Sequence, residues 1–509
     1  MKILLVYPFC PDTFWSLRHA LKFIGRKASF PPLGLLTVAA MLPESWEKRL
    51  VDMNVHSLSD EHLEWADYVF ISAMSIQQES AREVITRCKY LGVKTVAGGP
   101  LFSVCFDDFP EVDHVVIGEA EFTLPPFLEG LINGRTRRLY TDEQRSDMKS
   151  TPIPLWKLID IKNYAAMNIQ YSRGCPFDCE FCDITQLFGR KPRSKSTQQV
   201  LAELDSLRAL GWRGAVFFVD DNFIGEKMTL KREVLPAIRN WMEKNSHPFY
   251  FYTEASIELA DDAQLMELMV KAGFEEVFIG IETPSEEGLR ESGKSQNRNR
   301  DMLASVKRIQ QAGMQVHGGF IVGFDSDPPT IFERQIRFIQ ESGIVTAMVG
   351  ILIALRGTKL YQRLKLEGRI LGETSGNNTE SGLNFIPRMD QELLVAGLQN
   401  IPDDLYEAAR IDGAGAWRQF IDITIPTLAP TTVFVVMITI IGYFQLFAEP
   451  YVMTEGGPMN ATTSIVLMMY EQGFRWWNMG FAAAVAFVLF AVILFFSIVQ
   501  MIIQRRLQQ

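Results

Sequence analysis

The last lysine of this 509-residue chain is Lys365. That marks a change of solvent. Residues 1–388 carry 45 of the 50 Lys and Arg and 50 of the 60 Asp and Glu; residues 389–509 carry 5 and 10. Uncharged runs follow at Ile423–Ala448 and Trp476–Gln504, each as long as the roughly 20 residues that cross a bilayer core. Neither a single water-soluble globule nor a single membrane bundle accommodates both halves, so the chain is expected to join a soluble part to a membrane part. Composition narrows the chain as a whole: 47% hydrophobic and 22% charged residues exclude a disordered or collagen-like chain. A net charge of -10 argues against nucleic acid as a partner. Six cysteines are too few for a disulfide framework. The opening Met1–Pro8 lacks a small-residue cleavage site, so no signal peptide is expected.

Over about 1–145, apolar runs at Lys2–Tyr7, Lys48–Asp52, Tyr68–Ala73, Lys94–Ala97 and His114–Ile117 alternate with helix-like stretches such as Glu79–Leu91. That pattern predicts a doubly wound parallel sheet, whose ligands bind at the carboxyl ends of the strands. Those ends carry Ser72-Ala-Met-Ser75, Gly98-Gly99-Pro100 and Gly118-Glu119-Ala-Glu121. Small residues there either let a large flat cofactor approach the backbone or simply make tight turns. With Pro31–Ala39, these phrases resemble the cobalamin-binding domain that precedes many radical S-adenosylmethionine enzymes. The resemblance implies that Ser75, Gly98, Gly99, Gly118 and Glu119 contact cobalamin. No Asp-x-His-x-x-Gly is present, and His19, His56, His62 and His114 are scattered, so no histidine of that motif ligates the lower face.

Over about 146–390 the strongest signal is Arg173-Gly-Cys-Pro-Phe-Asp-Cys-Glu-Phe-Cys182. Cys175, Cys179 and Cys182 have the spacing C-x3-C-x2-C. Three thiolates hold three irons of a cubane and leave the fourth open. Structural zinc would want a fourth protein ligand, and no His or Cys lies nearby. The spacing resembles the radical S-adenosylmethionine core, in which a [4Fe-4S] cluster chelates S-adenosylmethionine and cleaves it to a radical. Strands are expected at Ala215–Val219, Phe249–Tyr252, Val277–Ile281, Val316–Val322 and Ala347–Ile353, with helices Ser196–Leu210, Asp261–Ala272 and Arg298–Ala312 between them. Polar groups at the strand ends suit a barrel enzyme. The resemblance implies a partial (βα)6 barrel. It places Asp220 and Asp221 against the methionine amino group, Glu254 among the cofactor-binding strand ends, and Glu282 at the ribose. It sets Gly319, Ile321 and Gly323 of Gly-x-Ile-x-Gly beside adenine, with Ser326 where a Glu usually trails. Gly288–Ser295 fits G-x4-G-K-[ST], but a helix stop at Gly293 rather than a helix start argues against a phosphate loop. Phe218–Phe223 and Tyr252–Ile257 bring the whole of 1–388 closest to the hopanoid-methylase-like group. For that group the resemblance implies cobalamin-dependent methyl transfer to an unactivated carbon of an apolar, lipid or natural-product substrate. It also implies a flavodoxin or ferredoxin as electron donor.

Over 397–509, Glu407-Ala408-Ala409-Arg-Ile-Asp-Gly413 followed by Ile423-Thr-Ile-Pro426 matches E-A-A-x3-G-x9-I-x-L-P with Ile for Leu. It resembles the coupling loop of sugar-type ABC transporter permeases. The resemblance implies that Glu407, Ala408, Ala409 and Gly413, within 401–426, dock on a partner ATPase. An all-α fragment with transmembrane helices at about 427–448 and 479–503 is expected. Arg410 and Arg418 before the first, and Arg505 and Arg506 after the second, put both ends in the cytoplasm. The family's earlier spans are missing, and the text changes family near Ala396–Leu398 without a Gly/Ser/Pro-rich linker. Three readings stay open: a radical enzyme with a membrane anchor, a transporter subunit with a passenger, and a non-functional chimera. The first places the enzyme on the cytoplasmic side of a bacterial inner membrane, or in the cytoplasm should the C-terminal segment be artefactual.

Overall fold

The computed structural model describes residues 1–398, except 14–15, 17, 143 and 373–382, together with 451 and 463–507. Met1–Leu398 forms one compact unit and Gln399–Gln509 another. The first unit contains two six-stranded parallel sheets.

The first sheet is built from β1 (Lys2–Tyr7), β2 (Glu47–Asp52), β3 (Tyr68–Ser72), β4 (Lys94–Gly98), β5 (His114–Ile117) and β6 (Leu139–Thr141), in the order β2-β1-β3-β4-β5-β6. Ile3 to Val6 are wholly buried, as a central strand covered on both faces requires. Alternate residues serve separate cores: Leu4, Val6, Val69 and Ile71 on one face, Ile3, Leu5 and Phe70 on the other. Helix Gln78–Leu91 covers the first face and ends at Gly92, whose φ of 69° is a left-handed cap. Strand β6 is not anticipated from the sequence; at three residues it is too short to show a period.

The second sheet contains β7 (Met167–Ile169), β10 (Gly214–Phe218), β11 (Phe249–Ala255), β12 (Phe274–Glu282), β13 (Gln315–Val322) and β14 (Thr346–Ile351), in the order β14-β13-β12-β11-β10-β7. A separate ribbon pairs β8 (Ser172–Arg173) with β9 (Arg193–Ser194), antiparallel. The five expected strands are present with slightly shifted bounds; β7, again three residues, is the one missed. Strands β10, β12 and β13 are reached through helices whose starts are fixed locally. Ser196 accepts from the Gln199 N–H while Gln199 returns a bond to the Ser196 N–H; Asp262 and Asp301 cap the next helices. Phe218, Phe223, Phe251 and Phe274 pack edge-on or tilted at ring separations of 5.0 to 5.4 Å and fill the space behind the sheet.

Helix Gln391–Leu398 closes the first unit, with Leu394 buried against Val322 and Ile351. In the second unit, helix Met479–Leu507 coincides with the second expected span. Side chains there are described only to Leu494, and among the described residues no helix is long and apolar enough to cross a membrane. The first expected span, the 401–426 loop and Glu407, Ala408, Ala409 and Gly413 lie outside the described residues.

Candidate active site

The cysteine loop leaves β8 through Gly174, at φ 93°. A Cβ there would lie 2.9 Å from the Gly189 carbonyl and 3.0 Å from that of Lys191, so only glycine lets the loop start where it does. Cys175, Cys179 and Cys182 are free thiols, all largely withdrawn from water. Burial pushes each thiol up, Cys182 to about 12; neighbouring sulfurs add to it at Cys175 and Cys182, while at Cys179 Lys294 works against it. Thiols raised this far stay protonated at neutral pH, and a bound metal or cluster would hold them as thiolates. Among the described residues no three such ligands converge on one ion. A cubane asks for one thiolate at each of three separate irons, so the donor set fits that cluster better than zinc.

Around the loop lie the strand-end carboxylates. Asp220 is buried and accepts from Tyr171 N (3.1 Å) and from the N–H and hydroxyl of Ser172. It ties the end of β10 to β8, and burial raises its pKa to about 7. Asp221 receives only a long contact from Gly174 N, 3.4 Å; burial raises it to about 6. Glu254 rises to about 7 through burial and the charge of Asp221. Glu282 sits at φ 64°, an uncommon left-handed backbone for a side chain this size, where the β12–β13 register slips. It pairs with Lys294 at 2.5 Å. Burial works against the Lys294 charge, but Glu282 and Cys179 outweigh it and hold the ammonium above its ordinary range. Asp221 and Glu254 thus want a cation, which an ammonium group of S-adenosylmethionine would supply.

On β13, a Cβ at Gly319 would strike the Phe278 ring at 2.6 Å. Gly323, at φ 103°, lies under Leu394, whose methyl would be 3.2 Å from a Cβ there; Ile321 is half-buried between them. Ser326 takes no carboxylate role. Asp327, one residue on, accepts from the N–H groups of Gly323 (2.9 Å) and Phe324 (3.0 Å) and pins the turn. Sequence reasoning misses both Asp327 and Lys294. No motif marks the first; the second stands inside the phrase Gly288–Ser295, which invites comparison only with a phosphate loop. No such loop forms: helix Glu286–Glu291 precedes Gly293 instead of following it.

The first sheet brings its strand ends to the same region. Gly98 and Gly99 form a cradle: a Cβ would lie 2.9 Å from the Val116 carbonyl and 2.5 Å from Ser72 Oγ. Neither position has room for a side chain, so only glycine lets the turn after β4 pack this closely on β3 and β5. Ser72 and Ser75 line a cavity of about 920 Å³ whose lining also includes Asp183 and Ile184, directly after Cys182 in the chain. Of the histidines considered from the sequence whose side chains are described, His56 lines it; His114 hydrogen-bonds to the Arg137 carbonyl and His62 to Ser59. Gly118 opens on a second cavity of about 990 Å³ with Arg145 and Arg356. Glu119 does not face the first cavity. Its carboxylate is engaged by Arg193 (2.5 and 2.8 Å), Arg173 (3.3 Å) and Ser146 N (3.0 Å), while Glu121 takes Arg173 at 3.0 Å. These carboxylates clamp both strands of the β8–β9 ribbon from which the cysteine loop hangs.

Family models match the chain in four places: the B12 binding domain over 24–128, the radical SAM superfamily over 169–346, a domain of unknown function (DUF4070) over 358–411, and the binding-protein-dependent transport system inner membrane component over 391–509. The last two overlap across 391–411. An uncharacterized methyltransferase of Synechocystis sp. is 45% identical over 390 residues, 76% of this chain and 73% of that protein. The hopanoid C-2 methylase of Rhodopseudomonas palustris is 36% identical over 395 residues, 77% and 74% of the two chains. The permease AraP of Bacillus subtilis is 45% identical over 108 residues, which cover only 34% of it. The solved structure of the cobalamin-dependent S-adenosylmethionine radical enzyme OxsB with aqua-cobalamin shares the fold at a TM-score of 0.63 and 14% identity, covering 92% of this chain and 79% of that one. The chain therefore belongs to the B12-binding radical S-adenosylmethionine methyltransferase family that includes the hopanoid C-2 methylase, and it carries in addition a segment of an ABC transporter permease.

Proposed function

We propose that the protein transfers a methyl group to an unactivated carbon of an apolar, lipid-like small molecule. The observation that carries this reading is the 920 Å³ cavity, lined both by Ser72 and Ser75 of the first sheet and by Asp183, the residue after Cys182. A substrate there would touch both cofactor sites at once. Phe30, Leu33, Met53 and Leu187 line it and would exclude water from a radical. The bound cluster, S-adenosylmethionine and cobalamin supply the electron, the radical and the methyl carrier. The chain's own share is positional. Cys175, Cys179 and Cys182 hold the cluster, and Asp221 and Glu254 receive the methionine ammonium. Glu282 meets the ribose, and Gly319, Ile321 and Gly323 flank adenine. Ser75, Gly98, Gly99 and Gly118 seat cobalamin. Asp220 and Glu119 hold the cysteine loop in place.

The assignment of 1–145 to cobalamin, 146–390 to the radical core and 397–509 to the permease fragment is part of this proposal. So are spans at about 427–448 and 479–503, which would tether the enzyme to the cytoplasmic face of a membrane, and a flavodoxin or ferredoxin as reductant. The permease match favours a second reading, docking of 401–426 on an ABC ATPase; it predicts co-purification that Glu407→Ala abolishes.

The test is anaerobic reconstitution of the full chain with iron, sulfide and hydroxocobalamin, then incubation with methyl-deuterated S-adenosylmethionine, reductant and a lipid extract. About four irons and bound cobalt, with label in a lipid product, are expected. A colourless, iron-free protein, or 5'-deoxyadenosine without label transfer, sinks the reading.

A further inference from the structure

The segment after Gly293 wraps the cysteine loop. The Glu180 N–H donates to the Ser292 carbonyl at 2.8 Å, and a Cβ at Gly293, φ 70°, would lie 3.2 Å from the Asp178 carbonyl. A single 3-10 turn, Ser295–Asn297, follows. Asn297 pins it to the end of β12 by donating to the Gly280 (2.9 Å) and Ile281 (3.0 Å) carbonyls. Between these anchors Gln296 is buried, and its Nε2 lies 3.9 Å from Cys179 Sγ, within reach of an N–H···S bond. The opposite amide orientation would turn a carbonyl lone pair on the sulfur, which a thiolate repels. Among the described residues the Gln296 Oε1 has no partner, so no competing bond there draws the amide away.

Resting on the cluster assignment above, we propose that Gln296 is a positioning residue that donates an N–H···S hydrogen bond to Cys179 and raises the reduction potential of the cluster. The physics is one-sided. Reduction adds an electron to an already anionic cluster, and part of that charge falls on the thiolate sulfurs. A donor aimed at a sulfur stabilises the reduced form more than the oxidised one. The electron comes from a reductant of the flavodoxin or ferredoxin class, which is oxidised by one electron as the cluster is reduced; no proton moves. Gln296 thereby eases a transfer that would otherwise be uphill.

The experiment is an EPR-monitored redox titration of the anaerobically reconstituted full chain, with iron measured on the same samples. Gln296→Leu should keep its iron and show about a tenfold lower ratio of reduced to oxidised cluster at a fixed potential, a shift of about 59 mV for one electron. Gln296→Glu, which puts an anion on the sulfur, should shift further the same way. An iron-replete Leu variant that titrates with the wild type overturns the proposal. Should either variant lose iron, the wild-type chain labelled with side-chain 15N-glutamine decides: a 15N hyperfine coupling on the reduced cluster is expected, and its absence overturns the bond. A wild-type chain that takes up no iron overturns the cluster reading instead.

Discussion

Replacing Glu119 should destabilise the protein without touching any cofactor. Its side chain is 1% exposed and meets five donor contacts from Arg193, Arg173 and Ser146. Removing one partner of a buried charge pair costs about 3–5 kcal/mol, because the other charge stays buried. The lower end applies. Arg173 keeps Glu121 at 3.0 Å, and Arg193 keeps the Ser146 and Phe188 carbonyls at 2.6 and 3.0 Å. At roughly 2 °C per kcal/mol for a large domain, Glu119→Gln should lower the melting temperature of the reconstituted full chain by about 6 °C at neutral pH. The double variant Glu119→Leu/Arg193→Met should lose less than the sum of its singles, since both charges leave together. Acid supplies an independent check. Burial opposes the Glu119 charge, but Arg193, Ser146 and Arg173 outweigh it and hold the carboxyl below its usual range. A carboxyl depressed in the folded state contributes stability above its unfolded pKa of about 4.3 and loses it as pH falls through the folded value. The gap between wild type and Glu119→Gln should therefore close below about pH 4. A Gln variant that melts within about 1 °C of wild type at pH 7, or a strictly additive cycle, refutes the clamp.

Cys182→Ala should cut iron from about four per chain to near none after reconstitution, measured by iron assay, with the far-ultraviolet circular dichroism unchanged. Gly99→Ala faces both a φ of 89° and a 2.5 Å clash with Ser72 Oγ; it should lose about 1–3 kcal/mol and most of its bound cobalt, read by melting and metal analysis. Trypsin cuts after Arg388 and Arg410, so the peptide Met389–Arg410 spans the change of family. Its detection by mass spectrometry in native membranes, beside peptides from both flanks, is the expected sign of one polypeptide; flanking peptides without it would mean two genes.

The reading of function was open in the sequence because its carriers are short and contiguous. Cys175–Cys182 lie on one loop, and Gly98-Gly99 on one turn, so spacing alone exposes them. Groups that act from a distance in the chain were not visible this way. Lys294 comes 112 residues after Cys182, and nothing local distinguishes it from any surface lysine. Asp327 pins the turn after β13 through the Gly323 and Phe324 N–H groups, a local role that no motif marks. Strands β6 and β7, three residues each, are held by neighbours rather than by their own period.

Glu119 draws the same line most sharply. By its phrase it belonged with the cobalamin turn; in the fold it faces Arg173 and Arg193, on the ribbon that carries the cysteines. The sequence by itself determined the two sheets, through alternation of buried runs and capped helices. Thiol spacing alone singled out Cys175, Cys179 and Cys182 as the candidate cluster ligands, and charge alone marked the compositional break after residue 388. Only the tertiary structure decided which carboxylates remain available to a ligand and which are already paired, because pairing depends on groups 50 to 75 residues apart. It also decided that one cavity brings Ser72 and Ser75 of the first sheet together with Asp183 after the cysteine loop. Periodicity is a local property of the chain; burial and partner choice arise when distant segments share the same low-dielectric space.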